Sequence, residues 1–287
     1  MKNKAINKWN LFWLISAPMS FIIAAVMLKH DMSDPKDVSE MIGYSVRWAV
    51  PLIFIITAAS AAKTLHVNAF TLWWFRNRKY IGLCFAVAML WQGSFIFLMS
   101  IMHRGYYFED VYLLRNEIEG SIGYIFLMAM IVTSFKSGSK YLNPQQWKLV
   151  HKTAVYFLWA YAFTVYWWNL YYYPNPVMSD HLLHWMGFFA FASRIAAWGK
   201  IRHKTITSKT SSINLIAGGT FVTLGLIVAA SGLHWREPVN SFLLSPGWSS
   251  ALELWLPYYP FEPFFSFFVI GIGVMIMTPI KNASFVD

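Results

Sequence analysis

His181 and His184 stand three residues apart, directly after Asp180. At that spacing two side chains share one face of a helix, and paired imidazoles are ligands for zinc, copper or iron. His103 and His234 end two other apolar stretches at the same level, so His103, His181, His184 and His234 form a candidate metal site. Zinc would require three or four such groups to converge. The competing reading is interfacial: His, Trp and Tyr collect where an apolar ring meets headgroups and its polar edge meets water. His30 is the fifth histidine on that side. Other chemistries are excluded. Cys84 is the one cysteine, so there is no disulfide framework and no CxxC site. No glycine fingerprint for a nucleotide is present. Gly218, Gly219, Gly271 and Gly273 lie in apolar stretches, where small residues permit close helix packing. No carboxylate falls at mid-depth of such a stretch, which argues against a proton-relay transporter.

The elements that position these groups follow from composition. Of 287 residues, 57% are apolar and 13% charged, against about 25% charged in soluble domains. Eight apolar segments recur at about 10–28, 45–64, 80–102, 121–135, 149–170, 182–199, 213–231 and 263–280, with lengths near those needed to span a hydrocarbon core. The first reads as an uncleaved anchor, since its apolar run exceeds that of a secretory signal. Placing the N-terminus inside puts 17 of the 23 Lys and Arg residues on the cytoplasmic side, as the positive-inside rule requires. Both termini are then cytoplasmic. The surplus of +10 faces anionic lipid rather than nucleic acid, for which no folded basic module exists. The segment 64–79, with Trp73, Trp74, Phe75, Arg76, Arg78 and Lys79, reads as an interfacial loop, and 232–262 as an outer loop rich in Trp and Pro.

Three stretches carry a likeness to a known family. Arg78-Lys79-Tyr80-Ile81-Gly82-Leu83 opens the third segment, Thr133-Ser134 closes the fourth, and Leu142-Asn143-Pro144, Trp147 and His151 lead into the fifth. In that order and spacing, residues 43–200 resemble the ferric reductase-like transmembrane domain of ferric reductases, NADPH oxidases and the haem subunit of bacterial methionine sulfoxide reductase systems. The resemblance implies a six-helix unit that clamps b-type haem between histidines of its third and fifth helices. His151 matches one such histidine. At the other two positions this chain has Gln92 and Thr164. Haem iron is held mainly by His, Cys, Met or Tyr, so most of the implied ligation is replaced. His66 lies on the same side as His151 and is an alternative partner for it.

The expected fold is all-α: an eight-helix bundle of the bacterial inner membrane, with a six-helix ferric reductase-like unit at 1–200 and a two-helix hairpin at 201–287. Three functions remain open. The first is an electron-transfer subunit, lacking its own flavin or nicotinamide domain, with an altered haem or quinone site at His151, Gln92, Thr164 and His66. The second is a non-redox subunit or assembly factor that docks a membrane or periplasmic partner. The third is a periplasm-facing metal-binding protein.

Overall fold

The computed structural model describes residues 6–204, 210–245, 247 and 249–279. Lys2, Lys4, Lys209, Pro246, Trp248, Lys281 and Asp287, which enter the charge and composition arguments above, lie outside the described residues. Within them every regular element is helical: α1 (Lys8–Met27), α2 (Pro35–Leu65), α3 (Ala69–Met102), α4 (Arg104–Tyr106), a π-turn (Tyr107–Val111), α5 (Leu114–Thr133), α6 (Lys136–Ser139), α7 (Pro144–Tyr171), α8 (Met178–Lys204), α9 (Ser212–Ala230), α10 (Gly232–Leu244), α11 (Ser249–Trp255), a 3-10 turn (Glu262–Phe264) and α12 (Phe265–Met277).

Each expected segment contains a helix, but the count of eight is not what the described residues show. Twelve α-helices are present, the additions being α4, α6, α10 and α11. The outer loop at 232–262 is therefore mostly helix, with Pro238 inside α10. The interfacial loop at 64–79 shrinks to three residues. No Gly or Pro interrupts 69–80, and Asn68 and Thr71 close a reciprocal cap: the Thr71 amide donates to Asn68 Oδ1 at 2.8 Å and the Asn68 amide to Thr71 Oγ1 at 3.1 Å. Helix α3 consequently begins eleven residues before the apolar run does.

Among the described residues four helices are long and apolar enough to cross a membrane: α1, α2, α3 and α9. Their outward side chains agree with that property. Phe21 is 75% exposed, Phe97 67% and Ile216 71%, a surface that water penalises and hydrocarbon does not.

The chain divides into two compact units, Met1–Ala59 with Leu72–Ala162, and Ser60–Thr71 with Phe163–Asp287. The division passes through α2, α3 and α7. In the first unit α1 lies along α3. The Lys8 amide donates to Asn77 Oδ1 at 2.9 Å, Asn77 Nδ2 donates to Asn7 Oδ1 at 3.0 Å, and the Trp73 indole donates to the Ile6 carbonyl at 2.8 Å. Asn77 is 2% exposed, so these bonds offset the cost of burying its amide. Helices α5 and α7 meet where Gly123 faces Leu158 and Phe126 tilts against Phe157.

In the second unit α9 and α12 pack tightly along a glycine seam. A Cβ added at Gly273 would stand 2.6 Å from the Gly218 carbonyl oxygen, and one at Gly225 would stand 2.9 Å from that of Ser266. Gly219 and Gly271 face open space. The expectation of close packing thus holds for one glycine of each pair. At the end of α12 the Arg202 guanidinium of α8 donates to Thr278 Oγ1 at 3.0 Å and to the Thr278 carbonyl at 2.9 Å. A cation there also suits the negative end of the helix dipole.

Candidate functional site

The three stretches that carry the family likeness meet in the first unit. Asn143 and Gln146 form a capping box at the start of α7: the Gln146 amide donates to Asn143 Oδ1 at 2.8 Å, and the Asn143 amide to Gln146 Oε1 at 3.0 Å. Pro144 takes the first helical position, where its missing N–H costs nothing. This fixes the phase of α7, and with it Trp147 and His151, which stack at 4.1 Å between ring centroids. Both reach the end of α5. The Trp147 indole donates to the Thr133 carbonyl at 3.0 Å, and Thr133 Oγ1 lies 2.9 Å from His151 Nε2. From α3, Lys79 Nζ donates to the Ser134 carbonyl at 2.6 Å while sitting 4.6 Å above the Phe135 ring. Helices α3, α5 and α7 are tied into one clasp.

The protons of the clasp can be assigned. Thr133 Oγ1 lies 2.6 Å from the Ala129 carbonyl, which only accepts, so the hydroxyl spends its one proton there. With that proton spent, the hydroxyl accepts from His151 in the tautomer that carries the proton on Nε2. A nitrogen that donates has no lone pair for iron. The remaining nitrogen, Nδ1, adjoins the residue's own Cβ, where a planar macrocycle would meet the backbone. In that tautomer the bond to Thr133 occupies Nε2, the nitrogen that an axial haem ligand would use.

The other implied positions are similarly ordinary. Gln92 Oε1 accepts from the Tyr124 phenol at 3.2 Å, close to a further contact of that phenol with the Met89 carbonyl at 3.1 Å. The Thr164 hydroxyl, in the second unit, is buried and makes no hydrogen bond. His66 is exposed at the end of α2, and its carbonyl accepts from Thr71 Oγ1 at 2.7 Å.

The outer histidines occupy dissimilar environments. His103 Nε2 donates to the Met32 carbonyl at 3.0 Å, tying the end of α3 to the α1–α2 connection. His181 and His234 are exposed. His184 is 1% exposed, stacked on Phe163 at 5.3 Å and edge-on to Tyr171 at 5.6 Å, and neither ring nitrogen makes a hydrogen bond. Three residues of α-helix leave two side chains about 60° apart, enough for one to face outward while the other is buried. Asp180 serves α8 itself, accepting from the Val177 amide at 3.0 Å and from Asn169 at 3.3 Å. Within the second unit His181, His184 and His234 do not converge as ligands among the described residues.

Two groupings escaped the sequence reading. His30, Asp37 and Glu40 bring one ligand atom each within 4.8 Å of the others. The signal was an acidic pair at i and i+3 in the first turns of α2, seven residues beyond a histidine; a turn had to fold before it meant anything. In the second unit Tyr172 donates to Glu262 Oε1 at 3.0 Å, with the Arg236 guanidinium 4.0 Å above its ring. Glu262 is fully buried, 90 residues along the chain from its phenol, so no local pattern marks the pair.

No protein-family model, curated protein or solved structure matches this chain.

Proposed function

We propose that this chain is a multi-pass inner-membrane protein on a ferric reductase-like scaffold, acting as a non-redox subunit that docks a partner protein. The observation that carries the reading is the clasp around His151. The residues of the likeness, Lys79, Thr133, Ser134, Trp147 and His151, lie together, yet they bond to one another rather than leaving a nitrogen for iron. What the likeness would use for a cofactor here fastens α3, α5 and α7. The basic residues orient the bundle with both termini in the cytoplasm.

The docking surface is assigned to α10 and α11, which fall on the outer side under this orientation. Leu233, Phe242 and Trp255 stand exposed there, with Glu237 exposed on the same segment to meet polar groups at a rim. Affinity purification of the full-length protein in mild detergent tests the reading. The expected result is a stoichiometric partner that is lost when Phe242 and Trp255 are changed to Ser. A protein that purifies alone and shows a reduced b-type haem spectrum would overturn it.

A further inference from the structure

We propose that His30, Asp37 and Glu40 form a binding site for a first-row divalent cation such as Zn2+, with one imidazole and two carboxylates as ligands. His30 Nδ1 stands 3.5 Å from Asp37 Oδ2 and 4.0 Å from Glu40 Oε2. Ligands about 2.0–2.2 Å from a tetrahedral zinc lie about 3.4 Å apart from one another. The first pair already has this spacing. The second reaches it if the Glu40 carboxylate moves by about half an ångström, and Glu40, 71% exposed, moves freely. Three protein ligands leave a fourth position for water or an exchangeable ligand.

The chain around the site holds it in shape. The Asp31 amide donates to Asp37 Oδ2 at 2.7 Å, so the residue after His30 is tied to the second ligand. Asp31 Oδ1 accepts from the Ser33 amide and hydroxyl at 2.9 and 2.6 Å, and Asp34 accepts from the Lys36 amide at 2.9 Å. His103 fastens Met32 from α3. With His30 and Asp37 fixed before the cation arrives, little ordering cost opposes binding. Asp31, Asp34, Asp37 and Glu40 outnumber Lys29 and Lys36, so the local field attracts a cation. The donor set selects among cations. One imidazole nitrogen disfavours Ca2+, which takes six to eight oxygens, and the lack of thiolate or thioether disfavours Cu+.

A bare ion pair between protonated His30 and the two carboxylates is the alternative use of the same atoms, and metal titration separates the two. The full-length protein in detergent, stripped with chelator, is titrated with Zn2+ against a chromophoric competitor, with Mn2+ binding followed by electron paramagnetic resonance. The expected result is one Zn2+ per chain at this site, weakened about tenfold or more by His30→Ala and by Glu40→Gln, and unchanged by His181→Ala or His234→Ala. Glu40→Gln is the decisive variant, because a side chain so exposed does not carry the fold. Asp37→Asn keeps an oxygen for the Asp31 amide and isolates the lost charge. Zn2+ binding that is indifferent to His30→Ala and Glu40→Gln, or no binding at all, overturns the proposal.

Discussion

Thr133 makes two bonds with one hydroxyl, donating to Ala129 and accepting from His151. Thr133→Val keeps the shape and strands the His151 N–H, so it is expected to cost about 1–3 kcal/mol, read as a lowered melting temperature in detergent. Thr133→Ser should restore most of the loss. If valine melts like the wild type, the clasp is not a fastening. A second expectation concerns Asp31, whose carboxyl is held below its ordinary range, first by the Ser33 hydroxyl and then by the Ser33 amide. A depressed folded pKa contributes stability that is complete above the unfolded value near 3.9 and lost as pH falls through the folded one. Hydrogen exchange across 30–34 should therefore rise as pH drops through that range, relative to intrinsic rates, and Ser33→Ala, which keeps the amide, should shrink the step. At this scale the sequence was half legible. Asn143, Pro144, Trp147 and His151 announced a helix start with an aromatic–imidazole pair. That Thr133 would take up the histidine depends on α5 and α7 lying side by side, which no local spacing encodes.

Helices α9 and α12 separate two kinds of glycine that look alike in sequence. Gly273→Val and Gly218→Leu force side chains into facing backbone and should destabilise the pair by about 1–3 kcal/mol or more. Gly219→Ala and Gly271→Ala meet nothing within contact distance and should be neutral or stabilising by up to about 1 kcal/mol. Thermal melts of the four variants check both statements, and equal effects within either pair would contradict the seam. Arg202 fastens the same hairpin at its end, so Arg202→Leu should raise exchange at Thr278. The apolar runs of α1, α2, α3 and α9 were legible because helices able to cross a membrane are apolar nearly all round. Their ends were not. Helix α3 starts eleven residues before its expected run because the aromatic and basic segment 69–79 holds no Gly or Pro and is capped by Asn68 and Thr71. The supposed outer loop is mostly helical because Pro238, inside α10, interrupts the apolar pattern without ending the helix.

At the scale of the molecule, the charge pattern and the exposed apolar surface both point to a chain living in a bilayer. Reporter fusions at residues 140, 206 and 287 should all read cytoplasmic, and fusions at 33, 110 and 175 should read external. A single reversed site would break the orientation proposed for α10 and α11. The family likeness and the replaced ligand positions, Gln92 and Thr164, were visible in the residues. Whether His151 holds a cofactor was not, because a histidine reads identically in sequence as an iron ligand and as a hydrogen-bond donor. The proton assignment around Thr133 favours the donor. The most direct test is the optical spectrum of the full-length protein, produced with ample haem and reduced with dithionite. A non-redox scaffold predicts no b-type α-band. An α-band at one haem per chain that disappears in His151→Ala would contradict it.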